Sequence, residues 1–151
     1  TDVKRGSLQI KVKKGVNLRT TKRLTVTVPV QSIDRVSLGG SGNIKGNLLI
    51  KAEDFGVNLG GSGNITLEVD ATTIKTSIGG SGNIKLSGDA NSFKGSIAGS
   101  GSIKAYELQV NTVKATIAGS GDIRISVKDE IKSTIAGPSL FLPCQSSPEE
   151  L

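Results

Sequence analysis

Two aspartates of this sequence could do acid–base chemistry. Asp70 and Asp89 stand at the same position in successive copies of a repeat. If the copies stack as neighbouring β-strands, the two backbones would lie about 4.8 Å apart, close to the roughly 5–5.5 Å between the carboxyl groups of retaining glycosidases. However, the matching residues in the flanking copies are Lys51 and Gln109, and no aromatic ring shares this position. We therefore interpret the pair as part of a solvated face and predict no catalytic residues.

Basic residues recur at two fixed positions of the repeat and could bind an anion. The first series lies before the last apolar residue of each copy and comprises Arg35, Lys75, Lys94, Lys114 and Lys132, with Gly56 as the exception. The second follows a glycine turn and comprises Lys45, Lys85, Lys104 and Arg124, with Thr66 as the exception. Stacked like charges repel, so outward columns of this kind either stay solvated and block sideways sheet pairing, or bind a ligand. The ligand class they suit is an anionic glycan or cell-envelope polymer.

Other site chemistries are excluded by residue type. The chain has no histidine and a single cysteine, Cys144, which excludes Cys/His zinc sites, a Ser-His-Asp triad and an internal disulfide. The recurring GGSGNI fits neither glycine pattern that binds phosphate. A calcium-binding repeat needs an aspartate in each copy, whereas that position reads Asn43, Asn64, Asn83, Ser102 and Asp122. We therefore predict no metal and no cofactor.

Length and charge limit the remaining classes of function. The 151 residues suit one domain, and the formal net charge of +6 is concentrated at one end, because residues 1–23 hold eight basic residues and one acidic residue. Aromatic residues make up 3% of the chain and no nucleic-acid-binding motif accompanies the basic end, so we predict no nucleic-acid partner. No apolar run approaches the roughly 18 residues that cross a membrane, so we predict no membrane span.

The dominant pattern is an internal repeat of 18–21 residues. GGSGNI begins at residues 39, 60 and 79, AGSGSI at 98, AGSGDI at 118 and a broken copy, AGPSLF, at 136. Around each turn, apolar or small residues occupy every second position, as in Ile74-Thr76-Ile78 and then Ile84-Leu86. This period of two is typical of strands with one buried face. A unit of this size cannot bury its apolar face alone and must stack on its neighbours.

These features predict an all-β fold, a right-handed parallel β-helix (β-solenoid) with coils of about 19–21 residues. Two aliphatic ladders would fill its interior, Leu38/Leu59/Ile78/Ile97/Ile117/Ile135 and Ile44/Ile65/Ile84/Ile103/Ile123. Asn43, Asn64 and Asn83 would stack as an amide ladder at a corner. The alternative, an antiparallel sandwich with a hairpin at each GSG, requires an alternating register, and the constant columns disfavour it.

The two ends depart from the repeat. We predict a β-helix domain over residues 1–137, with irregular first coils over 1–33 and GSG-repeat coils over 34–137. Residues 138–151 contain three of the four prolines and no alternation, so this tail is expected to leave the stack. It would then be either a cap over the last coil, through Leu140, Phe141 and Leu142, or a frayed end. The basic N-terminal end is expected to be exposed or paired in a homodimer through the solenoid ends.

The repeated [GA]GSG[NDS]I between alternating strands, over roughly residues 7–137, resembles the head GIN domain family of bacterial autotransporter adhesins. The resemblance implies a right-handed parallel β-helix in secreted or lipid-anchored proteins of Bacteroidetes, an exported location and an adhesin-like role. It also implies that a signal segment and first coils precede this chain. It supplies no catalytic residues.

We therefore predict a non-enzymatic adhesin-like module, a secreted protein or lipoprotein that is extracellular, at the cell surface or periplasmic. Its rigid repetitive surface would do the binding. Two alternatives stay open: a polysaccharide-binding or polysaccharide-degrading β-helix protein, since this architecture also hosts pectin-degrading enzymes, and a purely structural role through the solenoid ends.

Overall fold

The computed structural model describes residues 2–4, 7–9, 25–29 and 32–145. Its strands are β1 (Asp2–Lys4), β2 (Ser7–Gln9), β3 (Arg35–Gly40), β4 (Asn43–Gly61), β5 (Asn64–Ile78), β6 (Asn83–Gly99), β7 (Ser102–Gly119), β8 (Asp122–Ala136) and β9 (Leu140–Gln145). No helix occurs in these ranges. The all-β class predicted from the period of two is confirmed.

Strands β3 to β9 form one parallel sheet of seven strands whose order follows the chain. Each of the five long strands, β4 to β8, is a bent coil of 15–19 residues, and only two to four residues separate it from the next. Consecutive strands can be parallel after so short a connection only if the chain winds round and returns to its starting side. The fold is therefore a parallel β-solenoid, as predicted, and the antiparallel sandwich is wrong for this region.

The interior is built from the two predicted aliphatic ladders, except that Ile135 is 43% exposed, because among the described strands β9 covers only residues 122–127 of β8. The register pairs Leu59 with Ile78, Ile97 and Ile117 in turn, and Ile65 with Ile84, Ile103 and Ile123. In coils β5 to β7 the ladder residues are at most 1% exposed. Burying each of these side chains contributes roughly 1.5–3 kcal/mol, whereas a slip by one residue would turn the whole set outward. The interior therefore fixes the positions of the outward residues.

The N-terminal segment differs from the coils that follow it. Strands β1 and β2 pair antiparallel, with Val3 opposite Leu8, so this part of the predicted irregular first coils is not a parallel coil. Most of residues 1–33, including most of the basic N-terminal end, lies outside the described residues, and the predicted homodimer contact there stays a prediction.

The described part of the proline-containing tail, up to residue 145, does not leave the stack, contrary to our expectation. Strand β9 pairs in parallel with the first half of β8, from Asp122–Leu140 to Val127–Gln145, as a partial further coil. Pro143 is compatible with this pairing because β9 is the last described strand of the sheet, and prolines are tolerated in edge strands. The side chains of Leu140, Phe141, Leu142 and Cys144 lie outside the described part of the structure, so their predicted capping contacts stay predictions.

One inward residue of β5, Thr76, is polar, and its buried hydroxyl is expected to lower the stability of the fold. Thr76 is 3% exposed, and its hydroxyl has no hydrogen-bond partner among the described residues. An unsatisfied buried hydroxyl costs about 1–3 kcal/mol. Thr76→Val is therefore expected to raise the free energy of unfolding by about 1 kcal/mol, measured by chemical denaturation. Ser77→Ala, at the adjacent exposed position, is the control and should change stability by less than about 0.5 kcal/mol. A destabilised Thr76→Val protein would contradict the prediction.

Candidate functional site

The first basic column comprises Arg35, Lys75, Lys94, Lys114 and Lys132. Register pairs link Lys75 to Lys94, Lys94 to Lys114 and Lys114 to Lys132 in four consecutive coils. All five residues are exposed, so the predicted outward direction is confirmed. Gly56 interrupts the column between Arg35 and Lys75. The Arg35 side chain lies over this gap, with its Nε 3.3 Å from the position that a Gly56 Cβ would occupy.

The second basic column comprises Lys45, Lys85, Lys104 and Arg124. The predicted register is again found, with Thr66 as the gap between Lys45 and Lys85. The three lysines are exposed, but Arg124 is half-buried. The chain on this side is irregular, because register shifts begin directly after Lys45 and Lys85.

Each basic column has one ion pair among the described residues, and the columns differ in whether that pair lies within the column or at its end. In the second column, Lys85 Nζ lies 3.9 Å from Glu107 Oε1. At the end of the first column, Lys132 Nζ lies 3.3 Å from Glu130 Oε1. Within the described ranges, Lys75, Lys94 and Lys114 have no carboxylate partner within 4.0 Å. These three lysines form the central run of the first column, and they are both exposed and unneutralised.

A column of hydroxyl groups runs beside this central run. Ser77, Ser96 and Thr116, here the hydroxyl column, are register partners two positions after the three lysines. Residues two apart on a strand point to the same face, so lysines and hydroxyls share one surface. Both sets line a shallow groove that also includes Asp34 and Asp54 at its N-terminal end. Sequence analysis missed the hydroxyl column, although its 19- and 20-residue spacing equals that of the lysines.

The paired aspartates lie in a different groove. Asp70 and Asp89 are register partners, flanked by Lys51 and Gln109, as the repeat predicted. Both aspartates are exposed, and the groove around them is lined mainly by polar side chains. No group of three or more residues that could hold a metal ion occurs in the described part of the chain. The arrangement provides two neighbouring carboxylates on a solvated face, beside a lysine.

Amide ladders hold the corners of the coils. Asn64 Nδ2 donates to Asn43 Oδ1 at 3.0 Å and Asn83 Nδ2 donates to Asn64 Oδ1 at 3.1 Å, which confirms the predicted ladder. A second pair, in which Asn111 Nδ2 donates to Asn91 Oδ1 at 2.9 Å, was not predicted. Its signal in the sequence was the 20-residue spacing of the two asparagines. These bonds tie neighbouring coils together and help to keep the outer columns in register.

Comparisons with known proteins agree with the fold. Among solved structures, the crystal structure of a "Putative lipid binding protein" from Parabacteroides distasonis is similar, with 26% identity and a TM-score of 0.59. The match covers 74% of this chain and 51% of that one, so the chain spans about half the length of that protein. A comparison with curated proteins finds no match.

The described residues include no helix that is long and apolar enough to span a membrane.

The family described as "Putative auto-transporter adhesin, head GIN domain" matches residues 1–141, which is nearly the whole chain. The resemblance seen in the GSG repeats is thereby confirmed. This chain belongs to the auto-transporter adhesin head GIN domain family.

Proposed function

We propose that this chain is a non-enzymatic, adhesin-like module of the bacterial cell surface that binds an anionic glycan or cell-envelope polymer. The observation that carries the proposal is the central run of Lys75, Lys94 and Lys114, which are exposed, stacked in register and without carboxylate partners among the described residues. Membership of an adhesin head-domain family supports a surface location and a binding role.

The energetics favour a polymeric partner over a small ion. A single exposed ion pair contributes only about 0.2–1 kcal/mol, so one lysine on the surface binds weakly. Several charges on one rigid scaffold act together, because the first contact raises the effective concentration of the next. The packed aliphatic ladders and the hydrogen bonds between asparagine side chains hold the three lysines at fixed spacing before any ligand binds. Repulsion among them is relieved when a polyanion binds.

The packed interior favours binding on the outer surface. The core from Phe55 to Val127 consists of inward aliphatic and aromatic side chains that are nearly all inaccessible to solvent. The two grooves described above are lined mainly by outward residues. A ligand of this chain would therefore contact the outward columns. The same would hold for a lipid, the ligand class named in the description of the similar structure.

The proposal predicts salt-sensitive binding that depends on one column. The triple variant Lys75→Gln/Lys94→Gln/Lys114→Gln should lose at least about tenfold in affinity for a polyuronate or a sulfated glycan, since three charge contacts are removed. The wild-type affinity should fall as salt screens the charges. Affinity can be measured by biolayer interferometry at low and physiological ionic strength, with a neutral glycan as the negative probe.

A matched control separates position from net charge. The variant Lys45→Gln/Lys85→Gln/Lys104→Gln removes the same three charges from the second column and should keep most of the affinity. Equal losses in the two triple variants would show that only net charge matters. The polysaccharide-degrading alternative would replace the proposal if the protein released reducing ends from any of these glycans and the Asp89→Asn variant did not.

A further inference from the structure

We infer that the first basic column binds a linear polyuronate, a polysaccharide with one carboxylate on each sugar, laid along the solenoid axis with one sugar per coil. This inference rests on the proposed function and specifies its ligand. The juxtaposition that carries it is a run of evenly stacked lysines beside a parallel run of hydroxyl groups.

The first column is evenly spaced. Neighbouring coils of a parallel sheet lie about 4.8 Å apart, so Lys75 and Lys114 emerge roughly 10 Å apart with Lys94 midway. The register around all three is continuous from Ile74 to Ile78 and in the matching segments of β6 and β7. The irregularities of the sheet fall elsewhere, and two of them directly follow second-column lysines. The first column is therefore the part of the surface that can match a regular polymer.

Charge spacing selects the polymer. A 1,4-linked sugar advances its chain by about the height of one coil, so a polyuronate carries one carboxylate per coil. Successive carboxylates lie on alternate sides of an extended chain, and the long lysine side chains can reach both sides. Duplex DNA carries, on each strand, one phosphate for about every 3.4 Å of helix axis. Along the roughly 10 Å that the three lysines span, such a strand carries about four phosphates, so one of them is left without a lysine. A polymer with one charge per coil satisfies every lysine without leaving unpaired charges between them.

The hydroxyl column indicates that the polymer is a sugar. Ser77, Ser96 and Thr116 are exposed on the same face and are not involved in side-chain hydrogen bonds within the described structure. Each hydroxyl can donate one hydrogen bond and accept others, which suits ring hydroxyls and glycosidic oxygens. A polyphosphate has no hydroxyl groups of its own, so it can only accept hydrogen bonds from this column, whereas a sugar can both donate and accept.

Acidic residues limit the length of the bound segment. Asp34 and Asp54 line the N-terminal end of the groove, and Glu130 neutralises Lys132 at the other end. The attractive run is therefore the three lysines of β5, β6 and β7. A segment of about three sugars would fill it, and further sugars would meet neutralised or acidic surface.

The test uses oligouronates of defined length, from one to about six sugars, titrated into the full chain by isothermal calorimetry or NMR at low salt. Affinity should rise about two- to fivefold with each sugar up to three, the range that one exposed ion pair supplies, and then level off. The variant Ser77→Ala/Ser96→Ala/Thr116→Val should weaken trisaccharide binding severalfold and weaken polyphosphate binding less, because a sugar both donates to and accepts from these hydroxyls. Loss of the central lysines should abolish both.

Distinct results would overturn the two proposals separately. Polyuronate binding that needs the central lysines but is equal for a monomer and a hexamer would refute the axial arrangement and keep the proposed function. An equal effect of the hydroxyl variant on uronate and polyphosphate would refute recognition of a sugar. No binding of any anionic polymer would refute the proposed function itself.

Discussion

Gly80→Ala is expected to destabilise the solenoid by about 3 kcal/mol or more, because the corners of successive coils lie too close for a side chain. A Cβ at Gly80 would overlap the carbonyl oxygen of Gly61 in the preceding coil and lie 2.9 Å from its nitrogen. That same carbonyl accepts the hydrogen bond from the Ser81 amide at 3.0 Å. Relieving the clash therefore requires the two backbones to separate and breaks a bond of the ladder.

The adjacent residue provides a matched control. A Cβ at Gly79 would meet nothing within 4 Å, so Gly79→Ala should alter stability by less than about 0.5 kcal/mol. Later copies of the repeat already carry alanine at this position, as Ala98 and Ala118. The two variants can be compared by urea denaturation and by thermal melting. Similar stability of both would show that the corners can open to admit a methyl group.

The register of the solenoid could be predicted from sequence because each copy of the repeat contains a glycine turn from which positions can be counted. Lys75, Lys94 and Lys114 stand at the same distance from the following glycine turn, and parallel stacking converts that equality into a column. The same reasoning placed Asp70 beside Asp89. Any residue within an unbroken repeat could be positioned in this way.

The parts that sequence did not predict depend on spatial contacts or on local irregularities. The ion pair between Lys85 and Glu107 follows from a register shift after Lys85, and no periodicity indicates it. The proline content suggested that the tail leaves the stack, but an edge strand tolerates Pro143 in β9. The distinction between the two basic columns likewise required the positions of acidic side chains.

Phe93→Ala is expected to lower the free energy of unfolding by about 3–5 kcal/mol, the usual cost of removing a fully buried aromatic ring. Phe93 is 0% exposed and stands between Ile74 and Val113 in the register. Its ring also occupies the space beside Gly95, since a Cβ there would lie 2.9 Å from Phe93 Cε1 and 3.3 Å from Ile123 Cδ1. In β6 the large volume of the Phe93 ring is therefore compensated by the absence of a side chain at Gly95.

The neighbouring coil shows how this compensation can be tested. In β7 the matching residues are Val113 and Ala115, a smaller residue followed by a larger one. Gly95→Ala alone should cost about 1–3 kcal/mol, because the ring must move. In the double variant Phe93→Val/Gly95→Ala, the added methyl group fills part of the space that the ring leaves. The double variant should then cost at least about 1 kcal/mol less than the sum of its two single changes, measured by chemical denaturation. Strictly additive costs would mean that the Phe93 ring and Gly95 pack independently. The size of the residue at position 95 would then not depend on the size of the residue at position 93.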